Sequence, residues 1–379
     1  MRSRIVSPAL ILASLIGVPS LHAQAVGAGP VLQTYQFEDA SAAGLKSIQL
    51  MSAPFAVTVP VMPTLAVSVS GAYARGTAKG EAGETVTLEG LTDTNVDVVF
   101  GVGLDWLIVT AGATVPTGNN THSVGESLVA GVVAAELLPF AIKTWGSGGS
   151  AGGTVAAARQ LGGWGLGLSA GYRVASEYEP LQAQTLGYRP GDQLQLRLAL
   201  DHDVGSAGTF SILLGLQRYG NDQVGGNELF QSGMRLDAVV SYAFALGLRS
   251  SALVYGGVNH RANGTLLEAQ SSLGGATDTP SQQLFLAGAD IRLPLGRRAA
   301  ARPTAEVRVF RAEDGASQGW VSSLGGSLDY RVAGSNSGRR LIVAPTGRVR
   351  LGRVIVTDDL QTGVFGWEAG ITLTMAFGR

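Results

Sequence analysis

The stretch from Asp192 to Asp203 alternates strictly between leucine and polar or small positions. Leu194, Leu196, Leu198 and Leu200 share one parity, and Gln, Arg, Ala and Asp fill the other. Because side chains of a strand point alternately to its two faces, this pattern predicts a strand with one continuous leucine face. Such a face is either buried in the core of a soluble sheet or turned to lipid by a barrel with a polar lumen.

The first 25 residues have the three parts of a secretory signal. Arg2 and Arg4 form a basic start, residues 8–18 are an apolar run, and Ala23-Gln24-Ala25 is a small-residue cleavage site. The run is shorter than the ~20 residues of a spanning helix, which disfavours an N-terminal membrane anchor. We therefore predict a signal peptide over 1–25, with cleavage after Ala23 as the alternative, and a single domain over 26–379.

Composition narrows the classes that remain. Without Arg2 and Arg4 the chain has 25 basic and 28 acidic residues, so a nucleic-acid partner is disfavoured. The absence of Cys excludes disulfides and cysteine-ligated metals. The most apolar later stretch, 126–142, contains Glu126, Glu136 and Pro139 and does not resemble a spanning helix. An exported chain that is 45% hydrophobic yet lacks such helices favours a transmembrane β-barrel.

Alternating segments recur along the whole chain, separated in turn by short and long connections. They predict strands at 33–38, 46–59, 65–74, 95–104, 107–115, 153–161, 164–175, 192–203, 209–219, 234–244, 249–260, 283–295, 304–311, 320–332, 340–353 and 366–377, with a polar loop at 75–84. Short periplasmic turns and longer outer loops are typical of outer-membrane barrels. We predict an all-β, antiparallel up-and-down barrel of about 16 strands, or 14 if the weak first segment and one neighbour fail.

The last strand, 366–377, carries Trp367 and Phe377 on its apolar parity. It resembles the C-terminal assembly signal of bacterial outer-membrane β-barrels, although Gly378-Arg379 follow the closing aromatic. That resemblance implies an outer-membrane location, lipid contact and recognition by the barrel-assembly machinery. The stretches from Gly90 to Gly118 and from Trp145 to Tyr172 are similar to the barrels that carry hydrophobic compounds, namely the fatty-acid transporter type and its aromatic-degradation relatives. This narrower resemblance implies transport of hydrophobic compounds.

The strands from Leu194 onward carry charges of both signs on the polar parity. The basic residues are Arg197, Arg235, Arg292, Arg308, Arg331, Arg348 and Arg350, and the acidic residues are Asp201, Asp203, Asp237, Asp290, Glu306, Asp329 and Glu368. Charges buried in a wall must be paired or hydrated. We interpret the set as a ladder of lumen charges, which forms either a braced wall or an ordinary water-solvated porin lining.

The strands before Val115 have few charges on either face, and the longest connection, 116–150, has an apolar centre. A connection of this length is usually functional or disordered. An apolar wall below an apolar loop suits a hydrophobic solute, so we predict a gating or capture loop. The candidate residues are Leu128, Val132, Leu137, Leu138 and Phe140. The alternative is a lid that packs without any ligand.

The chain shows no pattern for enzyme or metal chemistry. His122, His202 and His260 lie far apart, without the spacing of metal-ligand pairs, so no metal or cofactor is predicted. His202 stands between Asp201 and Asp203, but on the opposite strand parity, which disfavours a catalytic pair. We predict an outer-membrane channel or transporter for small, hydrophobic compounds, with a general diffusion porin or a structural or adhesive barrel as the alternatives.

Overall fold

A computed structural model describes residues 23–182, 186–205, 207–267, 277–312, 315–333, 339–357 and 360–378. Residues 1–22, which hold most of the predicted signal peptide, lie outside the described residues, and the signal peptide stays a prediction. The proposed cleavage tripeptide, Ala23-Gln24-Ala25, begins the first strand.

The described residues form twenty-three strands and two helices. In chain order they are β1 (Ala23–Ala28), β2 (Val31–Phe37), α1 (Ala40–Ala43), β3 (Ser47–Met62), β4 (Leu65–Lys79), β5 (Thr85–Leu91), β6 (Thr94–Gly101), β7 (Leu107–Val115), α2 (Val124–Ala134), β8 (Ser150–Leu161), β9 (Trp164–Ala175), β10 (Tyr188–Arg189), β11 (Gln193–Asp203), β12 (Thr209–Tyr219), β13 (Asn221–Val224), β14 (Asn227–Gln231), β15 (Arg235–Ala245), β16 (Ser251–Arg261), β17 (Gly264–Leu266), β18 (Thr277–Thr279), β19 (Gln282–Pro294), β20 (Ala299–Ala312), β21 (Ser317–Ala333), β22 (Arg339–Thr357) and β23 (Leu360–Gly378).

Eighteen of the described strands form one antiparallel sheet that closes on itself. β1 and β2 are two halves of one wall strand, because both pair with β3 on one side and β23 on the other. β5 and β6 likewise follow one another along β4. The closed barrel therefore has 16 wall strands, which confirms the prediction of a 16-strand antiparallel barrel over the 14-strand alternative.

The break between β1 and β2 is made by Gly29 and Pro30. Proline has no backbone N–H to donate to a neighbouring strand, whereas the carbonyl of Pro30 still accepts from Ile371 N at 3.0 Å. A Cβ on Gly29 would collide with the carbonyl of Ile371. Glycine thus lets β23 approach closely where the wall strand is interrupted.

The two ends of the barrel differ. One end has short turns, such as residues 162–163 between β8 and β9, where Gly162 adopts a φ of 63°. The other end has the long connections, and five of their strands (β10, β13, β14, β17 and β18) form a second small sheet. Because outer-membrane barrels have short periplasmic turns and long outer loops, we call the second end the outer end.

The outward face of the wall is apolar. Leu194 and Leu196 are exposed on β11, in register with exposed apolar residues such as Tyr172 on β9. Trp320 and Phe365 are exposed on β21 and β23. A closed sheet leaves no unpaired backbone edge in lipid, and an outward apolar belt can contact the hydrocarbon core of the bilayer without burying polar side chains there. The leucine face of 192–203 is turned to lipid, and the chain is an outer-membrane β-barrel.

Several strands are longer than predicted. The predicted polar loop at 75–84 is wrong, because β4 continues to Lys79 and β5 begins at Thr85. β22 and β23 likewise extend past their predicted outer ends. Above the bilayer both faces of a strand can meet water, so the alternation of apolar and polar residues that marks a strand within lipid is lost. No helix in the described part of the chain is long and apolar enough to cross a membrane.

Candidate functional site

Residues 116–149, here called the inserted segment, leave the top of β7 and fold inward. Within them α2 begins at Val124, directly after a capping box: Ser123 Oγ accepts from Glu126 N at 3.3 Å, and Glu126 accepts from Ser123 N at 2.7 Å. These hydrogen bonds with Ser123 lower the pKa of Glu126. The helix start is therefore set by local sequence.

One side of α2 packs on the inner wall formed by β3, β4 and β5. Val129 and Val133 are fully buried, in one cluster with Leu50 and Leu88. Gly76 of β4 lies directly beneath this contact. A Cβ on Gly76 would stand 2.9 Å from Val129 Cγ1 and 2.8 Å from the Trp145 ring. The close approach of α2 to the wall therefore requires glycine at position 76.

Asp93 ties the two ends of the inserted segment together. It lies in the break between β5 and β6, and its carboxylate accepts from Gly118 N at 3.1 Å and from Ser147 N at 2.7 Å. Its own backbone N donates to Trp145 O at 2.9 Å. The buried Trp145 indole in turn donates to Ala74 O at 3.1 Å. The segment thus leaves and rejoins the wall at one clamp.

Beyond α2 the inserted segment crosses the lumen. The Glu136 carboxylate pairs with Arg235 at 2.9 Å, and its carbonyl accepts from Arg308 at 3.2 Å. Arg235 belongs to β15, which lies far round the barrel from the β4 wall that holds α2. All these wall contacts lie near the outer ends of their strands. The segment therefore spans the barrel close to its outer mouth.

The return path of the segment is held by Gln33 of β2. Gln33 Nε2 donates to Pro139 O at 2.9 Å, and Gln33 Oε1 accepts from Ala141 N at 2.6 Å. Between these two bonds, the Phe140 ring packs edge-on against Tyr35 at 4.9 Å between centroids. A single amide side chain therefore satisfies two backbone groups of the segment that the lumen wall would otherwise leave unpaired.

Behind Gln33 lies a buried ion pair. Gln33 also donates to Glu368 at 2.9 Å, and Glu368 pairs with Arg350, whose side chain is 1% exposed. The Arg350 guanidinium lies 5.6 Å from the centre of the Tyr35 ring. The wall charges and the aromatic partner of Phe140 therefore form one continuous contact network.

Lys143 closes the C-terminal side of α2. Its Nζ donates to Ala135 O at 2.7 Å and to Leu138 O at 3.1 Å, where a cation is favoured by the helix dipole. The Lys143 residue is partly exposed, yet desolvation by the surrounding protein, with help from Arg308, lowers the pKa of Lys143 to about 8.

The predicted lumen charges fall into two groups along the barrel. They lie on inward registers: Glu306, for example, is linked through successive strand pairs to Tyr35. The outer group, around the inserted segment, contains Arg235, Asp237, Glu306, Arg308, Arg348, Arg350 and Glu368. The group nearer the turns contains Asp201, Asp203, Asp290, Arg292, Asp329 and Arg331, and Arg197 lies between the groups. Asp203, the last residue of β11, accepts from the Thr209 hydroxyl at 2.8 Å.

The ion pairs of these residues differ from a simple ladder between neighbouring strands. Arg350–Glu368 joins β22 to β23, but Arg308–Glu306 (2.7 Å) and Arg235–Asp237 (3.5 Å) lie within single strands. Asp290 and Asp329 are both bridged by a residue missing from the prediction, Arg302, at 3.3 and 4.0 Å. Within the described ranges, no ion pair is formed by Arg197, Asp201, Arg292, Arg331 or Arg348.

The five candidate gating residues have different environments. Leu137, Leu138 and Phe140 are buried against the wall, Val132 is half-buried, and Leu128 is 50% exposed. The apolar N-terminal wall expected to face a solute is covered by the chain itself, through Val129, Val133 and their neighbours. An uncovered apolar wall would cost roughly 25 cal/mol per Å² in a watery lumen, and the inserted segment removes that cost.

Of the three histidines in the described part of the chain, His202 makes ring contacts, whereas the ring Nδ1 atoms of His122 and His260 are buried and have no hydrogen-bond partner among the described residues. His202 stacks on Trp164 at 4.3 Å between ring centroids, and its Nδ1 lies 3.0 Å from Gly163 O at the turn end. His122 is buried, and its backbone N donates to Pro180 O at 2.9 Å. Among the described residues, no group of three or more His, Cys, Asp or Glu side chains could hold a metal ion.

Similarity to known proteins is confined to structure. No family model matches the chain, and no curated protein does. Among solved structures, OccK11 of Pseudomonas aeruginosa has a TM-score of 0.46 at 13% identity, covering 94% of this chain and 96% of that one. A loop-deletion mutant of OmpT, an outer membrane protein of Vibrio cholerae, has a TM-score of 0.40 at 11% identity, covering 93% and 99%. An outer membrane channel from Pseudomonas putida F1 has a TM-score of 0.38 at 13% identity, covering 73% and 99%.

Proposed function

We propose that this outer-membrane barrel is a channel for small solutes, and that the inserted segment controls the passage of solutes through the lumen. The proposal is carried by one observation: the segment spans the lumen from the β4 wall to Arg235 near the outer mouth. The bonds from the wall residues Gln33 and Arg308 to backbone groups of the segment each contribute only about 0.5–3 kcal/mol. Neither these bonds nor the packing of Val129 and Val133 on the wall belongs to the hydrogen bonds between wall strands, so the segment can undock while the closed sheet stays intact.

We further propose that the solutes carry a hydrophobic part. The support is the free side of α2, where Val124 is 78% and Leu128 is 50% exposed although both are apolar. Small-molecule sites are mostly apolar with a few placed polar groups, and Arg235 and Arg308 of the outer charge group contact the same segment at Glu136. The covered wall beneath α2 becomes a second apolar surface if the segment undocks.

Conductance in planar bilayers tests the channel. Deleting residues 128–140 removes the crossing, so we expect a folded barrel with a larger and steadier conductance than the intact chain. A large, steady conductance in both forms would instead favour a general diffusion porin. Silence in both forms, together with no solute uptake by vesicles, would favour a structural or adhesive barrel and contradict the proposal.

A disulfide tests whether the segment must move. The chain has no Cys, so Gly76→Cys with Val129→Cys can form only one bridge, and the two positions are in close contact. We expect the oxidised pair to reduce uptake and a reductant to restore it, whereas either single variant should behave as the parent. Equal uptake by the oxidised and reduced forms would show that solutes pass a fixed segment.

The solute class is tested by Leu128→Asn. We expect slower uptake of a small hydrophobic tracer, with ion conductance unchanged, because only the apolar face of α2 is altered. Leu186→Asn is the matched control, since Leu186 is similarly exposed but lies in another outer connection. If both variants leave the tracer unaffected, α2 does not contact a hydrophobic solute.

A further inference from the structure

A cavity of about 490 Å³ lies at the outer rim, away from the inserted segment. Its floor belongs to the outward face of the wall, where one register row sets Tyr172, Leu194 and Arg218 side by side on three adjacent strands. Its other walls come from the connection before β11 and from the β13–β14 hairpin. The cavity therefore opens at the boundary between the lipid belt and the outer loops.

The floor continues without interruption into the lipid-facing surface. Leu196 and Leu168 lie below it and are exposed on the same face of β11 and β9, followed by Leu214 on β12. A molecule in the cavity can thus keep an acyl chain against these leucines. Only an amphipathic ligand would contact both parts of the surface.

The two other walls of the cavity, the connection before β11 and the β13–β14 hairpin, are hydrogen-bonded to each other. Asp222 of β13 accepts from Gly191 N at 2.7 Å and from the Tyr188 hydroxyl at 2.7 Å. Burial, and then the bond to Asp222, raise the pKa of Tyr188 far above its ordinary value, so the hydroxyl keeps its proton and this bond. The cavity is therefore bounded by ordered elements on both sides.

The cavity is lined by two arginines and two carboxylates, and one of the arginines, Arg218, makes no ion pair within the described residues. Asp192 accepts from the Tyr172 hydroxyl at 2.8 Å and pairs with Arg189 at 3.3 Å, so its charge is balanced. Arg218 is exposed and, within the described part of the chain, makes no hydrogen bond or ion pair. A cation at the edge of a lipid belt attracts an acidic headgroup. The second carboxylate, Glu228, lies on the β13–β14 hairpin and not on the floor, where it can accept from hydroxyl groups of a headgroup. The other lining groups include the uncharged amides of Asn221, Gln223 and Gln231.

We propose that this rim cavity binds one amphipathic glycolipid of the surrounding leaflet. Its acyl chains lie along the exposed leucines, its hydroxyl-rich headgroup occupies the cavity, and an acidic group of that headgroup pairs with Arg218. A headgroup with many sugar hydroxyls can pair with the amides of Asn221 and Gln223 and with the Glu228 carboxylate together, whereas a phosphoglycerol headgroup has fewer hydroxyls with which to do so. The site lies outside the lumen and is independent of the proposed channel.

Native mass spectrometry of the full chain in detergent tests the proposal. The probes are an acylated, bisphosphorylated glucosamine disaccharide, its deacylated headgroup and phosphatidylglycerol. We expect one tightly bound glycolipid and an affinity about tenfold lower in Arg218→Gln, because a charge-assisted bond is lost. Arg353→Gln is the control, since Arg353 is another exposed arginine on the outward face near the outer end.

Three results would overturn the site. An equal loss of glycolipid affinity in both arginine variants would indicate a general charge effect. Equal binding of phosphatidylglycerol would show that the sugar headgroup is not recognised. Equal binding of the deacylated headgroup would indicate a site for a free anion. If Arg218→Gln fails to fold, Asn221→Asp supplies a second test: it keeps the shape of the side chain, and its added charge should weaken glycolipid binding by a similar factor.

Discussion

Replacing Gly76 by valine should expel the inserted segment without opening the barrel. The new Cβ would stand 2.8 Å from Trp145 and 2.9 Å from Val129, closer than real side chains pack, while a β-branched residue suits the strand itself. Overpacking of this kind costs about 1–3 kcal/mol, and loss of the bond from Trp145 to Ala74 adds about 1 kcal/mol. Together they weaken docking by about 2–4 kcal/mol, or roughly 30- to 1,000-fold in the docking equilibrium.

Cleavage by a lysine-specific protease measures the docked fraction. Only Lys46, Lys79 and Lys143 are lysines, and Lys143 alone lies in the inserted segment, where its Nζ is held by two carbonyls. In Gly76→Val we expect rapid cleavage at Lys143, a red-shifted tryptophan emission and a higher conductance. Gly101→Val is the control, because a Cβ on Gly101 would meet only an ordinary contact of 3.8 Å.

Unchanged cleavage and conductance in Gly76→Val would refute the contact between α2 and β4. Equal effects in both glycine variants would refute the claim that the local contact, and not a general loss of barrel stability, holds the segment. Heat-dependent mobility on gels separates these cases, because a barrel that has lost its fold no longer shows two forms.

Three further predictions concern the contacts around the segment. Asp93→Ala leaves two backbone N–H groups without acceptors, so it should weaken docking by about 2–6 kcal/mol and accelerate protease cleavage at Lys143. The docked segment lowers the pKa of Lys143 to about 8, so the docked state binds fewer protons than the undocked state, and docking should tighten as pH rises from about 8 towards 10.5. Channel openings should therefore become shorter over this pH range, and Lys143→Met should abolish the pH dependence. Glu368→Ala strands the buried Arg350 and should lower barrel stability by about 3–5 kcal/mol, whereas Glu89→Ala, which breaks an exposed pair, should cost under about 1 kcal/mol in the same unfolding titration.

The barrel could be predicted because lipid imposes a repeating demand on the sequence. β11 and β23 alternate clearly, since one face meets hydrocarbon and the other meets the lumen. β5 could not be predicted in the same way, because its residues, Thr85–Leu91, lie beyond the hydrocarbon core, where alternation between apolar and polar residues is not required. Arg302 was missed for a different reason: the adjacent Pro303 resembles a strand breaker, although β20 accommodates it.

The contacts that hold the inserted segment could not be predicted from local patterns. Gln33 and Pro139 are 106 residues apart, and Asp93 reaches Ser147 across 54 residues. Neither Gln33 nor Asp93 lies in a motif with a fixed spacing: Gln33 is a polar residue of β2, and Asp93 lies in the break between β5 and β6. Their role arises only when the closed sheet brings the segment against them.

Two anomalies in the sequence nevertheless belong together. The inner parity of the first strands, including Leu50 and Leu88, is too apolar for a wall that faces water, and residues 128–140 are too apolar for a free outer loop. Each surface would be costly if hydrated, and each removes the cost of the other when they meet. When a wall and a loop are both unusually apolar, the first prediction is that they pack against each other. A hydrophobic solute is predicted only where apolar surface remains exposed after that packing. Here the apolar surface that remains exposed is the free face of α2 around Leu128, so a substitution at Leu128 is the most direct test of the hydrophobic-solute hypothesis.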